Sequence, residues 1–282
     1  MNSYSNKFFV FIKMAKNHPY HILPLSPWPI VTSLSLLLLV LTGFYWMHQK
    51  HHANLLFPFA CMFFSYSLYK WWKSVIHEGL VEKHHNNIVQ QGLRIGMGLF
   101  IFSEIMFFAA VFASFFYFSF NPADLLQDNW SVGEGFWPPK NLELPDAWNL
   151  PLMNTLILLL SGTTVTWSHQ ALLENKQKDA AQALLYTVIL GLSFTVCQAI
   201  EYHHIIFKLA DGAYPSNFYL ATGFHGAHVI MGTIFLLICY FRTINGHFAT
   251  PNSYLGFEFA AWYWHFIDVV WLFLFAFMYV LV

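Results

Sequence analysis

The chain of 282 residues is 57% hydrophobic and 20% aromatic, while only 10% of its residues are charged. This balance excludes an ordinary water-soluble domain, which needs far fewer apolar residues for its core. The formal net charge of −1 provides no basic surface for nucleic acid, and the three cysteines stand singly without a CxxC pair. Composition therefore indicates a polytopic, helical membrane protein that binds no nucleic acid.

Seven apolar runs are long enough for membrane helices, each of which needs about 20 residues. We predict spans over residues 29–47, 54–72, 95–120, 151–169, 182–205, 217–241 and 256–281. If the N-terminus is inside, ten of the 13 Lys and Arg residues lie on inner connectors, and the three others, Lys50, Lys140 and Lys208, lie on outer ones. The positive-inside rule therefore predicts an inner N-terminus and an outer C-terminus.

Four acidic residues fall within the predicted spans, namely Glu104, Glu201, Glu258 and Asp268. An ionised acid at the bilayer centre costs roughly 2.5–3.5 kcal/mol, so none should face lipid without compensation. Glu104 follows Arg94 by ten residues, which places it about 15 Å deep in a helix. We expect Glu104 to be protonated, to pair with another helix or a lipid headgroup, or to face a water-filled cleft.

Two pairs of polar residues share a helix face within the last two spans. His265 and Asp268 are three residues apart, and a hydrogen bond between them would satisfy both, which predicts a structural polar pair rather than the alternative of a proton relay. His225 and His228 have the same spacing, which raises the alternative of metal or haem ligation. Because no further Cys or carboxylate lies at ligand spacing, we favour helix packing and predict no metal site.

Aromatic, cationic and acidic residues cluster at the inner end of the second span. They are Trp71, Trp72, Lys73, His77, Glu78 and His85. The cluster is typical of a positive-inside anchor, and it also fits a site for an anionic phospholipid, with cations on the phosphate and aromatic rings on the acyl chains. Arg242 and His247 lie on the same predicted side and would contribute to such a site.

Long motifs in a consistent order resemble the cytochrome c oxidase subunit III family, namely HPYHILPLSPWPI, KWWKSVIHEG, LFIFSEIMFF, ATGFHGAHVIMGTIF and GFEFAAWYWHFIDVVWLFLF. The resemblance covers nearly everything after residue 17. It implies an all-α polytopic membrane protein with seven transmembrane helices, arranged as a two-helix and a five-helix bundle with a lipid-holding cleft. The implied parts are an N-terminal inner-side segment over 1–28, the first two transmembrane helices and inner loop over 29–90, and the five-helix bundle over 91–282.

The resemblance implies a non-catalytic core subunit of the proton-pumping terminal oxidase that reduces oxygen to water. Such a subunit stabilises subunit I, supports proton uptake and binds structural phospholipid. It carries no redox centre, because haem a and copper belong to the partner subunits I and II, and cytochrome c docks through subunit II. The implied location is the bacterial cytoplasmic membrane or the mitochondrial inner membrane. The alternatives are subunit III of a quinol oxidase, a haem-binding membrane cytochrome, or a proton transporter.

Individual residues match functional positions of the family. Glu104 matches its intramembrane carboxylate, and no catalytic residue is expected on this chain. The lipid-contacting positions are matched by Trp72, Glu78, His85, Arg242 and His247. His77, which we add to the lipid site, stands where animal members have arginine, and Asn245 replaces a lysine. A neutral histidine binds phosphate more weakly than arginine does.

Overall fold

A computed structural model describes residues 21, 25–121, 137–139, 142–248 and 254–282. Within these ranges the chain forms seven α-helices and no β-strand. The helices are α1 Trp28–Met47, α2 Ala53–Leu80, α3 Asn87–Phe120, α4 Leu150–Leu173, α5 Gln177–His204, α6 Ala213–Ile244 and α7 Leu255–Leu274. A 3₁₀ turn at Leu209–Asp211 precedes α6, and a π-helical stretch at Phe275–Val280 continues α7. Most of the predicted N-terminal segment 1–28 lies outside the described residues.

Six of the seven helices in the described ranges are long and apolar enough to cross a membrane. They are all except α2, whose 28 residues include Pro58 and Lys70 among the apolar positions. The all-helical class is therefore confirmed, and so is the capacity of most predicted spans to cross a bilayer. The count of seven spans and the orientation stay predictions.

The chain divides into two compact units, Met1–Leu93 and Arg94–Val282, which we call the N-terminal unit and the C-terminal unit. In the N-terminal unit, α1 packs on α2 through small side chains. Ala53 and Ala60 are buried, and the buried hydroxyls of Ser35 and Ser67 form a hydrogen bond of 3.0 Å between the two helices. Small residues let two backbones approach closely in lipid, where no hydrophobic effect draws helices together.

The C-terminal unit has a continuous aromatic core. Helix α4 packs on α5 and α7, α5 on α6, and α6 on α7. The largest buried side chains include Trp264, Trp271, Tyr214, Phe194, Phe218 and Phe257. Both indole N–H groups donate to α4, Trp264 to Ser161 Oγ at 2.8 Å and Trp271 to Thr155 Oγ1 at 2.9 Å. The core therefore joins aromatic packing to hydrogen bonds that satisfy its polar atoms.

An ion pair sets the relative depth of α3 and α7 within the C-terminal unit. Arg94 Nε donates to Glu258 Oε2 at 3.0 Å, and its Nη2 donates to Oε1 at 3.3 Å. The rings of Phe108 and Phe266 are in contact, and so are those of Phe112 and Phe273 further along both helices. Helices α3 and α7 therefore run in the same direction. Glu104 and Asp268 each lie ten residues beyond this ion pair, so they reach a similar depth of about 15 Å.

Candidate functional site

Glu104 on α3 and His228 on α6 form an ion pair or hydrogen bond inside the C-terminal unit. His228 Nε2 lies 2.8 Å from Glu104 Oε2, and the two side chains are 15% and 22% exposed. The residues are 124 positions apart in the chain. Among the alternatives considered for Glu104, the structure shows the one in which its side chain pairs with a residue on another helix.

The second ring nitrogen of His228 determines how protons are shared in this pair. His228 Nδ1 lies 2.6 Å from the carbonyl oxygen of Phe224, which can only accept, so Nδ1 carries a proton. If Glu104 is neutral, its carboxyl O–H donates a hydrogen bond to Nε2. If His228 is an imidazolium, Nε2–H donates a hydrogen bond to the Glu104 carboxylate. The pair has the same total charge in both arrangements, which suits a membrane interior.

Aromatic rings surround the Glu104–His228 pair. The ring centroids of Phe107 and Phe108 lie 6.4 and 5.2 Å from that of His228, and Tyr263 on α7 lies at 6.3 Å. These rings give the two polar side chains an apolar surrounding, which strengthens the interaction between them.

His265 and Asp268 share one face of α7, but the structure does not join them by a hydrogen bond. His265 Nδ1 lies 3.8 Å from Asp268 Oδ2, which exceeds hydrogen-bonding distance. Asp268 is buried and turns towards α4, where a Cβ atom added to Gly162 would lie 2.7 Å from Oδ2. His265 Nε2 approaches Thr166 Oγ1 on α4 at 3.4 Å. The pair therefore links α7 to α4 rather than forming a local contact alone.

His225 is a core residue of the C-terminal unit. Its ring packs between Phe194 and Trp271, and its Nε2 lies 3.3 Å from the carbonyl oxygen of Ile267. Across the described ranges, no three His, Cys, Asp or Glu side chains converge as metal ligands would. The geometry of His225 is that of helix packing.

Glu201, which falls within the fifth predicted span, is a second buried acid. Tyr279, in the π-helical stretch after α7, donates its hydroxyl to Glu201 Oε1 at 2.8 Å, and both residues are buried. The nearby Tyr214 hydroxyl donates to the carbonyl oxygen of Met278 at 3.1 Å. These two bonds anchor the end of the chain to α5 and α6.

Four of the predicted lipid-contacting residues belong to the N-terminal unit. Glu78 Oε1 accepts a hydrogen bond from the Ser74 hydroxyl at 3.2 Å, and Glu78 Oε2 lies 3.4 Å from His21 Nε2. His77 is exposed and lies 3.4 Å from Glu82, and the Trp72 indole is exposed. Of these four residues, Trp72 and His77 are exposed, whereas Glu78 and His85 are partly buried.

His85 sits against α2 beside Glu78. A Cβ atom added to Gly79 would lie 2.7 Å from His85 Nδ1, so the absence of a side chain at this position makes room for the ring. Burial lowers the pKa of His85 from its ordinary value of 6.5, His21 and His84 act in the same direction, and Glu78 opposes them. His85 is therefore largely neutral at pH 7, which makes it a hydrogen-bonding residue rather than a fixed cation.

Arg242 and His247 belong to the C-terminal unit, at the end of α6. The Arg242 guanidinium carbon lies 4.4 Å from the centre of the Phe248 ring, an arrangement for a cation–π contact. Its Nη1 packs against Gly256, where an added Cβ atom would approach to 2.6 Å. Among the described residues, Arg242 Nε and His247 Nδ1 are buried atoms without a hydrogen-bond partner. The Arg242 guanidinium is held by its contacts with Phe248 and Gly256.

Sequence reasoning missed His228 as the partner of Glu104. Glu104 lies ten residues after Arg94, and His228 lies fourteen residues before Arg242, which is a depth difference of about 6 Å at ~1.5 Å per residue. Matching depths across predicted helices would have made the pair one candidate among several. Only the packing of α3 on α6 selects it.

Comparison with known proteins covers almost the whole chain. The family model described as cytochrome c oxidase subunit III matches residues 18–282. The protein called probable cytochrome c oxidase subunit 3 in Rickettsia bellii (strain RML369-C) is 56% identical over 266 residues, which are 94% of this chain and 96% of the relative. Cytochrome c oxidase subunit 3 of Arabidopsis thaliana is 48% identical over 265 residues, which are 94% of this chain and 97% of the relative. The chain therefore belongs to the cytochrome c oxidase subunit III family.

Proposed function

We propose that the chain is a non-catalytic core subunit of cytochrome c oxidase, in which it stabilises subunit I, supports proton uptake and binds structural phospholipid. Haem a and copper would reside in the partner subunits I and II, and cytochrome c would dock through subunit II. The observation that carries this proposal is the family match over residues 18–282. The location would be a bacterial cytoplasmic or mitochondrial inner membrane.

The support for proton uptake rests on the Glu104–His228 pair. A carboxyl group and an imidazole 2.8 Å apart can exchange a proton without a change in their total charge, which limits the cost of the exchange within a membrane. The aromatic rings of Phe107 and Phe108 pack beside His228. We propose that the pair holds one proton in reserve within the membrane.

Replacing Glu104 by Gln in the assembled oxidase tests this role. Glutamine keeps a hydrogen bond to His228 but cannot ionise, so we expect an unchanged haem spectrum and a shorter turnover lifetime. Ser103→Ala is the matched control, because within the described part of the chain the Ser103 hydroxyl donates to the Phe100 carbonyl of its own helix and to no other residue. A normal lifetime in Glu104→Gln would remove Glu104 from the proposed function.

Deleting the chain tests the broader proposal. We expect an oxidase that keeps its haem and copper spectra and loses activity faster during turnover, because subunit I loses its support. An unchanged lifetime of the oxidase without this chain would contradict a stabilising role. A haem band that stays with the isolated chain would instead favour a membrane cytochrome with His225 or His265 as ligand.

Phospholipid binding is supported within each unit by separate features. In the N-terminal unit, the exposed Trp72 and His77 stand beside the Glu78 and His85 cluster. In the C-terminal unit, Arg242 is packed against Phe248, and its Nε has no hydrogen-bond acceptor among the described residues. We propose that each of these two groups, within its own unit, binds an anionic phospholipid through its phosphate and acyl chains. Arg242→Gln and Trp72→Leu should each lower the phospholipid that copurifies with the oxidase, and unchanged lipid content in a variant would exclude the site of that unit.

A further inference from the structure

The outward side of α7 in the C-terminal unit carries an ionisable residue at mid-span. Its exposed residues follow a helical stripe, Trp262, His265, Val269, Leu272 and Phe273. Helix α4 adds the exposed Thr166 beside His265. We call the surface formed by Thr166, Trp262, His265, Val269 and Leu272 the His265 face.

The depth of His265 distinguishes this surface from the outward sides of α5 and α6. Its side chain is 47% exposed, and it lies ten residues past the start of α7, about 15 Å into the span. At mid-span the outward sides of α5 and α6 instead expose apolar residues, Ile189, Leu192 and Val196 on α5 and Ile230, Met231 and Ile234 on α6. An ionisable group at such a depth is unfavourable against lipid, and a phospholipid headgroup stays nearer the surface.

Among the described residues, no hydrogen-bond donor reaches the second ring nitrogen of His265. The Thr166 hydroxyl donates to the carbonyl oxygen of Gly162 at 2.9 Å, so towards His265 it accepts from Nε2, at 3.4 Å. Nδ1 is then an acceptor, and Asp268 Oδ2 at 3.8 Å is too far to serve it. In a membrane such an acceptor is expected to find its donor on a neighbouring helix.

We propose that the His265 face docks on a transmembrane helix of a partner subunit of the oxidase, which donates a hydrogen bond to His265 Nδ1. Trp262, Val269 and Leu272 pack around this bond and exclude lipid from it. The partner segment that covers the His265 face is a helix, because a helix satisfies its own backbone hydrogen bonds at this depth. The proposal rests on the proposed function, since it requires an assembled oxidase.

Site-directed photocrosslinking in the assembled oxidase tests the docking surface. A benzophenone amino acid replaces Val269 on the His265 face or, as a control, Val196 on the outward side of α5. We expect the probe at 269 to form an adduct with a second polypeptide of the oxidase and the probe at 196 to react mainly with lipid. An adduct at 269 with lipid, with a second copy of this chain or within this chain would overturn the proposal, and so would the absence of any adduct beside a reactive probe at 196.

Two substitutions of His265 test the hydrogen bond itself. His265→Leu suits a lipid-facing position, whereas His265→Gln keeps an acceptor and a donor. With increasing detergent, we expect the leucine variant to dissociate from the oxidase about threefold more readily, the size of one interhelical hydrogen bond, and the glutamine variant to be retained. Equal retention of all three forms would refute the bond while the copurification of the chain, and with it the proposed function, stands.

Discussion

The N-terminal and C-terminal units hold their helices together by different means. In the described part of the N-terminal unit, the buried side chains are small or polar, such as Ala60, Ser35 and Ser67, while large apolar residues such as Phe44 face outward. The C-terminal unit buries tryptophan and phenylalanine in one continuous cluster. Because lipid is as apolar as leucine, helix association in a membrane depends on close packing and hydrogen bonds. In the N-terminal unit the helices are held by the close approach of their backbones, and in the C-terminal unit they are held by the packing of large aromatic side chains.

The acids within the helices follow the same division. Glu104, Glu201 and Asp268 all belong to the C-terminal unit, and two of them form a hydrogen bond with another helix or segment, Glu104 with His228 and Glu201 with Tyr279. A thin interface between two helices offers few such partners. A multihelix bundle offers several helices at each depth, so it can carry ionisable groups within the membrane.

The largest expected effect comes from the aromatic core. Trp264→Ala removes a fully buried ring that fills the space beside Gly191 and Gly232 and bonds to Ser161. We expect a loss of about 3–5 kcal/mol in the free energy of unfolding, as for other buried Trp→Ala changes, measured by titration with SDS in mixed micelles. Trp46→Ala in the N-terminal unit is the control, since its ring is half exposed. Equal losses in the two variants would remove the distinction between the units.

The Glu104–His228 pair is expected to have the next largest effect. Glu104→Leu leaves His228 Nε2 without its partner in an apolar setting, which should cost about 1–3 kcal/mol. Adding His228→Phe removes the orphaned nitrogen, so the double variant should lose less than the sum of the single variants. A double-mutant cycle of unfolding free energies measures this coupling, and additivity within about 0.5 kcal/mol would mean that the two residues do not interact.

The serine pair of the N-terminal unit should have a smaller effect. Ser35→Ala and Ser67→Ala each remove the interhelical bond of 3.0 Å, and we expect a coupling of about 0.6 kcal/mol, typical for hydrogen bonds between membrane helices. Ser65→Ala is the matched control, because its hydroxyl bonds to Cys61 of its own helix. Coupling between Ser35 and Ser65 of the same size would show that the measured energy does not report the interhelical bond.

The smallest expected effect is a pH dependence of the N-terminal unit. The folded-state pKa of His85 lies below 6.5 because the ring is partly buried, so the unfolded chain takes up a proton before the folded chain does. Stability should therefore fall as the pH decreases below about 6.5. We expect His85→Asn to reduce the slope of unfolding free energy between pH 7 and pH 5. A slope that is unchanged in this variant would assign the dependence to other histidines.

The sequence predicted the helices better than the contacts between them. Six of the seven predicted spans correspond to helices apolar enough to cross a membrane, since each span depends on a local run of apolar residues. The candidate site was predicted in part: Glu104 was singled out by its depth, whereas His228 was considered beside His225 and not as the partner of Glu104. Asp268 was expected to bond with His265, yet it turns towards Gly162 of α4. Helical spacing places two residues on one face, and rotamers and neighbouring helices then decide whether they touch.

By itself, the sequence determined the class of the protein, its helices and its family, because apolar runs and long motifs are local features of the chain. The tertiary structure alone decided which polar groups meet. Glu104 finds His228 across 124 positions, Glu201 finds Tyr279 across 78, and Arg94 finds Glu258 across 164. The physical reason is that a buried polar group is stabilised by whichever donor or acceptor lies at its depth on a neighbouring helix, and helix packing sets that neighbour.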